Sequence, residues 1–279
     1  MISMNKLSTS DRVNIVRCLV DGCSMRATSR ITGIARNTID KLLIELGAAC
    51  LEYQDRTLRN LSCKRAQVDE CWAFCYAKPK NVTPEIATKK PFAGGVWTWA
   101  AIDADTKLIP SWIIGPRDSV TARIFVNDLA NRLADRIQLT SDGPNVYLAA
   151  VEKAFRGDVD YAILVKIYGA ANDGEKRYSP AECISCEKHE TVGYPDPKYV
   201  STSYIERANL TMRMGERRFT RLTNAFSKKL ENHAAAVALH MMHYNFSRIH
   251  QTLKVTPAMA AGVTDKLWKI ENIVALLDH

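Results

Sequence analysis

Three acidic residues sit where their neighbours make a charge expensive or conspicuous. Asp69 lies in "QVDECWAF", next to Val68 and an aromatic run, a setting in which a carboxylate is costly unless something binds it. Asp142 ends the apolar run "IQLTSD", directly before Gly143 and Pro144. Glu206, in "SYIERANLTMR", is an isolated acid at the head of a segment crowded with arginine and lysine. Three carboxylates gathered in one place repel one another, and divalent cations are the usual remedy. Two Mg²⁺ or Mn²⁺ ions held in that way activate an attacking oxygen and stabilise a leaving oxygen in an in-line phosphoryl transfer. Each acid also has a plainer use. Asp142 suits a turn or a helix cap, and Glu206 suits the first turn of a helix, where it complements the dipole. Asp69 has few such uses; its neighbour Glu70, on the opposite strand face, is expected to be the solvated acid of the two. Asp103, before a hairpin, reads as a turn former.

A second set of chemically capable residues is Cys183, Cys186 and His189 in "CISCEKH", three zinc-type ligands that need a fourth from Cys63, Cys71, Cys75 or another histidine. The eight cysteines are scattered through 279 residues, a pattern of free thiols in a reducing compartment rather than of a disulfide framework. His233, His240 and His243 share one helical segment and read as packing or surface residues. Trp97, Trp99 and Trp112 alternate in strand-like runs and read as core.

The elements that must position the acids follow from periodicity. Residues 66–77, 94–103 and 107–117 are rich in Val, Ile and aromatics and form three strands in a meander. An amphipathic helix over 118–136, a strand at 137–143, a helix at 144–155 and a strand at 159–169 come next, and residues from Ser203 onward are again helical. That order is the order of a ribonuclease-H-like α/β domain, a mixed five-stranded sheet with flanking helices. In such a sheet the first and fourth strands are neighbours, which brings Asp69 beside Asp142 and lets the following helix deliver Glu206. Residues 169–202 show no clear period and read as an insertion loop.

The first 50 residues read differently. Short helices separated by Gly22 and Gly33 lead into a helix from Ala35 to Leu46 whose outward face carries Arg36, Asn37, Thr38 and Lys41, the pattern of a helix-turn-helix DNA reader. Residues 51–65 form a polar, basic connector, residues 66–254 the catalytic domain, and residues 255–279 a C-terminal tail helix. The net charge of +8 is concentrated, with +5 in residues 1–65 and +6 in residues 203–254, two places suited to phosphate backbones. Arg207 and Asn209 open the helix that carries Glu206 and are expected near the path of a DNA substrate, and Arg213 lies two turns beyond the glutamate on its face, where it could grip a phosphate. The chain has no apolar run of membrane-spanning length and no signal-peptide core, which points to the cytosol.

The segments "VDECWAF", "SDGPNVYLAAVEKAF", "YIERANLTMR" and "LTNAFSKKLENH" resemble, in order, the catalytic segments of DDE transposases of the insertion-sequence-one family. "YNFSRIHQTL" is similar to the Asn-Arg-His segment that follows the core in many integrase-like transposases. The resemblance implies that Asp69, Asp142 and Glu206 are the metal-binding triad of a bacterial, nucleoid-associated enzyme. Such an enzyme binds terminal inverted repeats in double-stranded DNA and works as a homo-oligomer. A regulator that kept the fold without the chemistry and a ribonuclease-H-type nuclease are the alternatives.

Overall fold

The computed structural model describes residues 7–143, 146–169, 183–220 and 224–278. Ser8 accepts a hydrogen bond from the Asp11 amide and starts α1 (Thr9–Val20). Ser24 does the same for the Ala27 amide and starts α2 (Met25–Thr32), which Gly33 closes in the left-handed conformation at φ +73°. α3 (Arg36–Thr57) then continues for 22 residues, well past Leu46. The connector expected from residue 51 is therefore helical as far as Thr57. The reason lies in the inward face, which persists through Cys50 and Gln54; the Gln54 amide donates to the carbonyls of Cys50 (3.1 Å) and Ala238 (3.4 Å).

Beyond α3 the chain forms β1 (Arg65–Cys75), α4 (Pro84–Lys89), β2 (Gly94–Asp103), β3 (Trp112–Gly115), α5 (Ser119–Ala130), β4 (Ile137–Asp142), α6 (Leu148–Phe155), β5 (Val159–Tyr168) and β6 (Cys183–Val192). α7 (Ser203–Gly215), α8 (Leu230–Met242), α9 (Pro257–Ala260) and α10 (Ile270–Val274) complete it. The sheet order is β3-β2-β1-β4-β5-β6. β1 pairs antiparallel with β2 and parallel with β4, β4 pairs parallel with β5, and β5 pairs antiparallel with β6. The described residues thus make six strands where five were expected. The sixth falls inside the stretch read as an insertion loop, because β6 is exposed along most of its length and is held by backbone pairing rather than by a buried side-chain face. The C-terminal tail, expected as one helix, is two short ones followed by a 3₁₀ turn at Ala275–Asp278.

The sheet carries helices on both faces. Ala66 and Val68 of β1, with Leu139 and Tyr161, pack against Phe125 and Leu129 of α5 and Val151 of α6. Cys71 and Ala73 of β1, with Ala100 and Ile102, pack against Ile205, Ala208 and Met212 of α7 and Val237 and Met241 of α8. The opposite side of α8, through Ala235, Ala238 and Leu239, shares a core with Leu43, Leu46 and Cys50 of α3, Val16 of α1 and Ile273 of α10. From Ala234 to Leu239 α8 is apolar all round because it is covered on both sides. The N-terminal helices and the tail are accordingly built onto the sheet domain through one shared core rather than set apart from it.

Candidate active site

β1 and β4 run parallel with Val68 opposite Ser141, so the next residue on each strand, Asp69 and Asp142, sits at the same level of the sheet. One carboxylate oxygen from each of Asp69, Glu70 and Asp142 lies within 4.8 Å of the others. α7 brings Glu206 to the same edge, where it lines a cavity of about 550 Å³ with Asp142, Gly143, Leu164, Lys166 and Tyr168. The start of α7 has no side-chain cap of its own. Gln67, buried on β1 two residues before Asp69, supplies one: its Oε1 accepts from the amides of Tyr204 (2.9 Å) and Ile205 (3.1 Å). A single strand therefore carries one acid of the site and also fixes the helix that carries another.

Burial makes these carboxylates reluctant to ionise together. Asp69 is pushed up to about 7, first by burial and then by the charge of Asp142, while the Asn209 amide, donating to Asp69 Oδ2 at 2.8 Å, opposes the shift. Asp142 is raised by burial and by Glu206, against the pull of Arg117 and Lys166. Glu70 is raised by burial, against the Tyr147 phenol and Arg117. Asp142 Oδ1 and Glu70 Oε1 are buried, and neither meets a hydrogen-bond partner of normal geometry among the described residues. The orphaned oxygen of Asp142, with the Asp69 carboxylate beside it, suits a hard divalent cation, so the residues present fit one.

Asp69 and Asp142 are brought together as the sequence led us to expect. Glu206 faces the same cavity, but its Oε1 accepts from Lys166 Nζ and from the Thr202 hydroxyl, and it is not within the 4.8 Å group. Glu70 is a correction: it is buried, not solvated, and is ion-paired to Arg117 at 3.1 Å. Alternation does put its side chain on the far face, but the sheet covers that face with α5 and α6, so no solvent waits there. Asn209 is another correction, since it is 3% exposed and holds Asp69 rather than lying open to a substrate. Arg207 is exposed and Arg213 half-buried on α7. Arg36, Asn37 and Lys41 are exposed at the start of α3, and Thr38 is half-buried.

Cys183 and Cys186 have their sulfurs 3.8 Å apart on exposed β6, while His189 faces Glu187 at 3.4 Å. Among the described residues no third ligand joins the two cysteines at metal-binding range. Gln67, Arg117 and Lys166 were missed by sequence reasoning. Only Gln67 leaves a trace there, as a polar residue two before Asp69 in an otherwise apolar strand.

The arrangement defines an α/β protein whose parallel central strands carry paired, half-buried aspartates at one level beside a helix-borne glutamate. No protein-family model and no curated relative matches the chain. Among solved structures it is similar to a piggyBac transposase in a synaptic complex with hairpin DNA, at 10% identity and a TM-score of 0.41, over 99% of this chain and 73% of that one. A likeness so distant carries no functional argument, which leaves function to the chemistry of the site.

Proposed function

We propose that this chain is a DDE-type DNA transposase with a ribonuclease-H-like core, acting on the ends of a bacterial insertion sequence by metal-dependent strand cleavage and strand transfer. The observation that carries the reading is the convergence of Asp69, in the middle of β1, and Asp142, at the end of the adjacent parallel β4, with an orphaned carboxylate oxygen on Asp142 and Glu206 across the same cavity. Strand order adds support, since β3-β2-β1-β4-β5 is the arrangement that places those two acids side by side.

Asp69, Asp142 and Glu206 would hold two Mg²⁺ or Mn²⁺ ions, which when bound supply an activated oxygen nucleophile and charge neutralisation at the phosphate. Asn209 fixes the Asp69 carboxylate in one orientation, and Gln67 fixes the helix that bears Glu206. Lys166 pairs with Glu206 and, once that glutamate takes a cation, becomes free to meet a DNA phosphate lining the cavity. Arg36, Asn37, Thr38 and Lys41 on α3 would read the terminal inverted repeats, with Arg207 and Arg213 along the substrate path. Joining two DNA ends calls for a homo-oligomer on double-stranded DNA, in the bacterial nucleoid.

The Lys166–Glu206 ion pair favours one second reading, a DNA-binding regulator that kept the fold and closed its third metal position. Cleavage of DNA carrying the element's flanking ends separates the two. For the transposase, Asp142→Asn abolishes cleavage and leaves end binding nearly intact; equal loss of both sinks the catalytic assignment, and wild-type binding with no cleavage favours the regulator.

A further inference from the structure

Glu70 and Arg117 form a pairing that the proposed chemistry does not use. The Glu70 side chain is 1% exposed, yet its partner Arg117 remains 40% exposed. Arg117 Nε and Nη2 both reach Glu70 Oε2 at 3.1 Å, and its guanidinium lies 4.9 Å over the Trp97 ring. The backbone around it is fixed as well. The Pro116 carbonyl accepts from the Trp99 indole at 3.2 Å, and the Asp118 carboxylate caps α5 through the Thr121 amide. Nη1 has no acceptor among the described residues, and Arg117 is the cation that acts most strongly on Asp142.

An ion pair serving only stability would be replaceable by apolar packing at little loss. A buried acid behind a stacked, half-open guanidinium does something else. It aims the remaining N–H groups outward, in the fork geometry that suits a phosphate.

We propose that Arg117 grips a DNA phosphate beside the acidic site and that Glu70 is its positioning residue rather than a metal ligand. This rests on the DNA-processing reading above.

The test is equilibrium binding, in Ca²⁺, of duplexes of the DNA flanking the coding sequence, each with one phosphate replaced by a neutral methylphosphonate. Arg117→Gln removes the charge while keeping a donor for Glu70, and its melting temperature and circular dichroism, read beside those of wild type, confirm that the variant is folded. Wild type is expected to lose about tenfold in affinity at one methylphosphonate position, and Arg117→Gln to lose about tenfold on unmodified DNA but nothing further at that position. Equal sensitivity of both proteins at every position overturns the inference and leaves the transposase reading standing. Failure of wild type to bind any duplex overturns both. Mn²⁺ binding without DNA, followed by paramagnetic resonance, tests the second half: Asp142→Asn is expected to weaken it at least about tenfold and Glu70→Gln by less than about twofold. Equal loss in both variants would make Glu70 a ligand and overturn its positioning role.

Discussion

Asp69 is the residue on which site and stability pull against each other. Its carboxyl is raised to about 7 by burial and by Asp142, so the folded protein holds a proton there that the unfolded chain releases near its ordinary value of 3.8. The stability associated with the proton is fully present below the unfolded value and is lost as pH rises through about 7. Asp69→Asn keeps the shape and removes the titration. In the absence of divalent metal it is therefore expected to raise stability at pH 8 by about 2 kcal/mol, roughly 4 °C in melting temperature, and to gain almost nothing at pH 4. Thermal melts of both proteins at the two pH values check this, and an equal gain at both would place the benefit in packing rather than in charge. In sequence, Asp69 was legible because a charge amid apolar residues has few structural uses. Glu70 was misread because alternation says which face a side chain takes but not what covers that face.

At the scale of elements, α3 and α8 are locked through a glycine. A Cβ on Gly47 would meet Ala235 Cα at 2.5 Å and Ala235 Cβ at 2.6 Å, so the two helices touch where no side chain fits. Gly47→Ala is expected to destabilise the protein by about 1–3 kcal/mol in urea denaturation, despite the better helix propensity of alanine. A neutral or stabilising result would mean that α3 lifts easily from α8. The close approach was invisible in sequence, as was the continuation of α3 to Thr57, because both depend on α8 rather than on local pattern. The strands β1, β2, β4 and β5 were legible from their apolar runs, whereas β6 was not, since edge pairing leaves no hydrophobic signature. α7 was legible as a helix, but its cap came from Gln67, 137 residues away from Tyr204 in the chain.

For the whole molecule, the uneven charge is the feature with functional reach. The segments 1–65 and 203–254 carry +5 and +6, and α3 of the first packs through apolar residues on α8 of the second. Among the described residues no helix is long and apolar enough to cross a membrane. Because Arg36 is exposed at the start of α3 and far in sequence from the acids, Arg36→Ala is expected to weaken binding of flanking-end DNA about tenfold without changing cleavage of a nicked substrate at saturating concentration. Unchanged binding would show that α3 is not the reader.

The most direct test of the central claim is cleavage and joining of labelled DNA carrying the flanking ends, in Mg²⁺ and in EDTA, for wild type and Glu206→Gln. The two aspartates are already side by side, whereas Glu206 stands in an ion pair with Lys166, so its place among the metal carboxylates is what the measurement decides. The account expects activity that needs both the metal and Glu206. Undiminished activity in Glu206→Gln, or activity that survives EDTA, would contradict it.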